Sequence, residues 1–141
     1  MPLLAEKDRE VVRKRLEELP NPVKLINFTQ ELECESCKDT RSMLEEVAAL
    51  SERIELQVFN FQTDKEERDR YGIDKIPATV IMGEVDYGIR YYGIPAGYEF
   101  VSLLETLIMV SKRDSGLEPA TRERLAQVQE PLRLEVFVTP T

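Results

Sequence analysis

Val23-Lys24-Leu25-Ile26-Asn27-Phe28 runs into Cys34-Glu35-Ser36-Cys37, and further on comes Lys75-Ile76-Pro77-Ala78-Thr79. The first stretch is a short apolar strand. A Cys-x-x-Cys pair at the end of such a strand, with a helix after it, outlines a dithiol/disulfide redox switch. These are the only cysteines in the chain. In the third stretch an Ile-Pro opens a second apolar strand. Each stretch alone is a weak signal; in this order and spacing they are specific.

The pattern outward from the cysteines predicts alternating elements. Asp8 to Leu19 reads as a helix, with Val11, Val12, Leu16 and Leu19 in one stripe and Pro20-Asn21-Pro22 as its stop. The helix after the cysteines extends to about Leu50, with Leu44, Val47 and Ala48 at helical spacing. Ile54 to Phe61 alternates as a strand, and Asp64 to Tyr71 is a charged helix with Gly72 as its C-cap. Ala78 to Met82 and Gly88 to Tyr92 read as two strands of a hairpin around Gly83-Glu84-Val85-Asp86. Gly93 to Gly97 is a loop, and Tyr98 to about Lys112 an amphipathic helix with Phe100, Leu103, Leu104 and Leu107 inward. The order is βαβαββα behind one extra helix. The first two strands, joined through a helix, are expected parallel with a right-handed crossover.

Composition excludes several classes. The net charge is −8, and a protein that binds phosphate backbones needs a basic face, so no nucleic acid is expected as partner. The chain has no histidine, which removes Ser-His and Cys-His nucleophiles and the commonest metal ligand. Two cysteines are too few for a secreted disulfide framework. Met1 to Ala5 leads directly into a charged helix, and no apolar run approaches the ~18 residues of a membrane span. A soluble, cytoplasmic protein is the expectation. Charged residues make up 33%, against about 25% on average, and only three asparagines occur. Both lean toward a thermophile, although an ordinary acidic surface gives the same numbers.

Residues 113–120 read as a linker, and the segment after it repeats the opening of the chain. Pro22 to Thr29 aligns with Pro131 to Val138, and Arg13, Arg15, Leu16 and Leu19 fall over Arg122, Arg124, Leu125 and Val128. Such a repeat points to a duplicated unit; chance likeness of two helix-Pro-strand segments is the alternative. The prediction is a helix over Thr121 to Gln129 and a strand over Leu132 to Val138. On this alignment a second Cys pair would begin just past Thr141, so the chain reads as a truncated two-unit protein. An unpaired apolar strand invites another chain, and docking on the sheet edge or on a second copy, as a homodimer, is expected.

With both features in hand, the chain resembles the thermophilic protein disulfide oxidoreductases, glutaredoxin-like proteins with two thioredoxin-fold units, each carrying a Cys-x-x-Cys. The stretches that carry the resemblance are Asn21 to Ile26, Ile73 to Thr79, Gly88 to Gly97, and Phe137-Val138-Thr139-Pro140-Thr141. It implies an α/β, thioredoxin-like sandwich: a four-stranded mixed sheet with helices on both faces, plus the extra N-terminal helix. Residues 1–112 would be the first unit, and 121–141 the leading helix and first strand of the second. It also implies dithiol–disulfide exchange on protein substrates, no cofactor, reduction by a thioredoxin-reductase-like flavoenzyme, and a cis Pro77.

Exchange needs a thiolate, an accessible sulfur and a second thiol. Cys34, at the start of the helix after the first strand, would be stabilised as thiolate by backbone N–H groups and the helix dipole. Cys37, deeper, would resolve the mixed disulfide. Pro77 beside Cys34 would let Ile76 pair with a substrate main chain, as an added strand does. The pattern departs from thioredoxin proper. Glu31, Glu33 and Glu35 surround the nucleophile and oppose the thiolate, Lys38 and Arg41 partly offset them, and a more reducing couple is expected. The buried acid familiar on the first strand is missing; only Lys24 and Asn27 stand there. Three alternatives remain open at this point: half a zinc site, a structural disulfide, and a redox-weak module that docks substrate or reductase for another unit.

Overall fold

In the computed structural model, residues 2–139 are described. The elements are α1 (Glu6–Leu16), β1 (Val23–Thr29), α2 (Cys37–Ala48), β2 (Ile54–Asn60), α3 (Lys65–Arg70), β3 (Ala78–Met82), β4 (Arg90–Tyr92), α4 (Tyr98–Lys112) and α5 (Pro119–Leu125). Four strands form one sheet in the order β2-β1-β3-β4. β1 pairs parallel with β2 and antiparallel with β3, and β3 pairs antiparallel with β4. The mixed sheet expected from the sequence is present.

Strand alternation divides the core into two layers. Val23 and Leu25 of β1 and Ile81 of β3 face Leu44 and Val47 of α2, Leu103 and Leu107 of α4, and Val12 and Leu16 of α1. The opposite face holds Ile26, Phe28, Ala78 and Val80 under Phe59, Tyr71 and Ile73. Phe28 packs on Phe59 and edge-on to Tyr71, at ring-centroid distances of 5.5 and 6.1 Å. The charged helix α3 buries none of its own residues. It is held by Arg68, whose guanidinium lies over the Phe61 ring and donates to the Phe61 carbonyl. Gly72, at φ +65°, ends it: the N–H groups of Gly72 and Ile73 donate back to the carbonyls of Asp69 and Arg68, a Schellman closure.

The extra helix α1 is part of the same layer. It packs against α4, where Arg15 and Glu105 form an ion pair. Its leading turn is tied to α2 by Glu46, which accepts from the N–H groups of Leu3 and Leu4 and from Arg9.

Three expectations are corrected. β4 begins at Arg90 rather than Gly88, because the Asp86 carboxylate accepts from the Gly88 N–H and grips the Arg90 guanidinium, holding 86–89 out of the ladder. The last helix is Pro119–Leu125 rather than 121–129, beginning inside the expected linker with proline in its first turn. The expected strand 132–138 is not formed: among the described residues, 131–139 joins no sheet. A strand needs a ladder partner, and Leu134, Val136 and Phe137 are 85–90% exposed. Pro140 and Thr141, which end the expected second-unit segment 121–141, and Met1 lie outside the described residues.

Candidate active site

The site gathers at the carboxyl end of β1. Cys34 and Cys37 are joined by a disulfide, with Cα atoms 5.5 Å apart. Cys37 is fully buried and Cys34 half-buried, so Cys34 is the sulfur that a partner can reach. The helix starts one turn later than its expected place at Cys34: Cys37 is its first residue and Cys34 stands in the preceding loop. Thr40 sets this start. Its N–H and its hydroxyl both donate to the Ser36 carbonyl, at 3.0 and 2.7 Å, and close the first turn there. The helix N-terminus therefore acts on Cys37 directly and on Cys34 from across the loop.

Glu33, just before Cys34, takes a left-handed backbone, φ 56°. Glu33, Glu35 and Lys38 are all exposed, so the acidic rim is solvated. Beside it the loop ends of β1 and β2 enclose an open cleft lined by Gln30, Glu31, Leu32, Glu33, Asn60 and Gln62. Leu32, 78% exposed, is an apolar side chain on that rim.

The Ile76–Pro77 peptide bond is cis. Ala78, the next residue, is the register partner of Phe28, which places Pro77 at the end of β1 from which the cysteine loop departs. Pro77 is buried and Ile76 half-buried. Lys75 Nζ lies 4.4 Å from the centroid of the Tyr92 ring and 2.9 Å from Asp74. The structure thus brings Cys34, Cys37, Ile76 and Pro77 to one end of the sheet, with Glu33, Glu35 and Lys38 on its rim. Among the described residues no group of three or more Cys, Asp or Glu is placed to hold a metal ion. No helix of the described residues is long and apolar enough to cross a membrane.

Two features escaped sequence reasoning. Thr79, opposite Asn27 on the neighbouring strand, is fully buried with its hydroxyl unpartnered. Only the strand register pairs it with Asn27. The Asp86–Arg90 clamp was visible as a spacing of opposite charges, but the turn between them hid its role.

This fold and this site define a thioredoxin-fold dithiol–disulfide unit. Residues 24–105, more than half of the chain, match the thioredoxin domain family, and the chain belongs to that family. It is similar to a protein disulfide oxidoreductase of Aeropyrum pernix, with a TM-score of 0.81 and 29% identity over 87% of this chain and 54% of that one. It is also similar to the alkylhydroperoxide reductase AhpF of Enterococcus faecalis, with a TM-score of 0.78 and 26% identity over 89% of this chain and 61% of that one. A protein of Ferdinandcohnia aciditolerans named NADH dehydrogenase is 28% identical over 72% of this chain, which spans only 18% of that protein's length.

Proposed function

We propose that this unit is a protein disulfide oxidoreductase working by dithiol exchange at Cys34 and Cys37. The observation that carries the reading is the asymmetry of the pair: one reachable sulfur bonded to one buried sulfur at a helix start. In the reducing direction Cys34 thiolate attacks a substrate disulfide. That S–S bond breaks, the first substrate sulfur leaves as thiolate, and a mixed disulfide forms. Cys37 then gives up its proton and attacks the Cys34 sulfur, displacing the second substrate thiolate. The substrate gains two electrons and the protein ends as the Cys34–Cys37 disulfide; the reverse sequence oxidises a dithiol. Ile76, outside the β1–β3 ladder whose last pair is Phe28–Ala78, offers its main chain to the substrate, with Pro77 packed beneath.

Oxidised Cys34–Cys37 must be reduced again, and a thioredoxin-reductase-like flavoenzyme is the proposed donor. The similarity to the alkylhydroperoxide reductase AhpF supports a reductase-linked setting. A cytoplasmic, thermophilic setting fits the charge-rich composition. The exposed Leu134, Val136 and Phe137 support a homodimer in which the C-terminal stretch finds cover on a second copy.

Insulin reduction in the presence of dithiothreitol tests the activity: turnover by the native chain and none by Cys34→Ser is expected. The solvated Glu33 and Glu35 favour one rival, a docking module for another redox unit. Equal, uncatalysed rates for native chain and variant would establish it instead.

A further inference from the structure

A row of side chains that is polar on three of its four strands crosses the sheet beneath α2. Val58, Asn27, Thr79 and Tyr91 stand side by side on β2, β1, β3 and β4. Alternation puts them on the face of Leu25 and Ile81, which α2 and α4 cover. Asn27 and Thr79 are both 0% exposed. The Asn27 amide nitrogen donates to the Ala78 carbonyl at 3.1 Å. That bond fixes the amide's orientation, because turned over it would set two acceptors face to face. The Asn27 Oδ1 and the Thr79 hydroxyl are each left without a hydrogen-bond partner. At the far end of the row the Tyr91 hydroxyl is already engaged, with Thr106 of α4 at 2.9 Å.

Directly opposed residues of an antiparallel pair carry Cβ atoms about 4.5–5.5 Å apart. Two oxygens carried on opposed residues at that spacing are close enough for a single water to bridge. Buried polar atoms in proteins are nearly always hydrogen-bonded, often through such a water, which needs two to four polar partners.

The third partner comes from α2. Leu44 and Val47 share a cluster with Val23 and Leu25, so the helix runs back antiparallel to β1. From Val47 to Cys37 it covers about 15 Å, or roughly four to five strand residues. Cys37 is thereby carried over the Asn27 end of β1, and its sulfur is fully buried.

We propose that Asn27 Oδ1 and the Thr79 hydroxyl hold a buried water beneath Cys37, and that this water takes the Cys37 proton in the resolving step. The inference rests on the exchange reading above. In that step Cys37–SH meets the mixed disulfide Cys34–S–S–R. The Cys37–Cys34 S–S bond forms, the Cys34–SR bond breaks, and R–S⁻ leaves with the electron pair. The proton passes from Cys37 through the water to solvent, and R–S⁻ departs as the free thiolate. Neither side chain changes charge; both are positioning residues, and the relay is neutral.

Mixing the reduced protein with one equivalent of an aromatic disulfide, dithiobis-nitrobenzoate, separates the steps. Attack by Cys34 releases the first coloured thiolate and resolution by Cys37 releases the second. Thr79→Val keeps the side-chain shape and removes the hydroxyl. It is expected to slow the second phase roughly tenfold, the loss of about one hydrogen bond, and to leave the first phase unchanged. Thr79→Ser is expected to restore it. A second phase untouched in Thr79→Val, or slowed equally in Thr79→Ser, overturns the relay. A native protein with no first phase overturns the exchange reading itself. A crystal structure of the reduced native protein gives a measurement free of any folding defect: a water bonded to Asn27 Oδ1 and Thr79 Oγ1 supports the inference, and dry contact there refutes it.

Discussion

The N–H of Gly93 donates to the carbonyl of Pro77 at 2.8 Å. Proline has no N–H of its own, so this bond engages the one backbone polar group that Pro77 has. On the proposed exchange reading, Ile76 is then the neighbour left to pair with a substrate main chain. The bond also joins the end of β4 to the loop before β3, and so fixes the wall opposite the cysteine loop.

Gly93 makes this bond at φ +86°, and a Cβ added there would meet no neighbouring atom within 4 Å. Replacing it with alanine carries only a conformational cost. Gly93→Ala should destabilise by about 1 kcal/mol, read from urea denaturation. It should slow reduction of a protein disulfide while Cys34 of the reduced protein reacts with iodoacetamide at the native rate. Equal slowing of both would mean that the loop shapes the thiol and not the substrate groove.

Asp86 and Arg90 hold the β3–β4 turn, and their hydrogen bond keeps the Asp86 carboxyl below the free value of 3.8 against an opposing effect of burial. A carboxyl whose folded pKa is depressed contributes stability above its unfolded pKa, and that contribution is lost as pH falls through the folded one. Asp86→Asn should therefore cost about 0.5–1 kcal/mol at neutral pH, a figure held down by solvent screening. The gap between native and variant should close as the pH drops below the free-carboxyl value. A gap that persists in strong acid would show that the turn is held by shape alone.

Glu33 and Glu35 flank Cys34 in the solvated loop. Changing both to glutamine removes two negative charges from beside the sulfur. The Cys34 thiol should titrate lower and the couple become more oxidising, with each charge contributing a few tenths of a kcal/mol, about 0.2–0.5, after screening. Thiol titration at low and high salt checks it: the shift should shrink with salt, and a shift of opposite sign would contradict the electrostatic account.

The stretch 131–139 leaves Leu134 and Phe137 each 90% exposed. Sedimentation should show concentration-dependent dimers that disappear when residues 131–141 are deleted. A native chain that stays monomeric at high concentration would remove the dimer from the account.

The sequence made the sheet legible because its strands are short apolar runs: Val23, Leu25, Ile26 and Phe28 of β1 are all buried, and Ile54 opens β2 inward. The cysteine pair, its helix and the Ile76–Pro77 turn were likewise local features. What stayed hidden depends on other elements. The start of α2 at Cys37 is decided by the Thr40 bonds to Ser36, which compete with a helix beginning at Cys34. The stretch 132–138 copies a strand in composition, but composition supplies no ladder partner. Asn27 could be read as a polar residue in an apolar strand; its opposite number, Thr79, follows only from register.

In the proposed exchange Cys34 attacks and Cys37 resolves. Incubating reduced Cys37→Ser protein with a disulfide-containing protein substrate tests it most directly. A stable covalent adduct at Cys34 is expected, seen by non-reducing electrophoresis and released by dithiothreitol, whereas Cys34→Ser gives none. An adduct at Cys37 of Cys34→Ser, or no adduct with either variant, would contradict it.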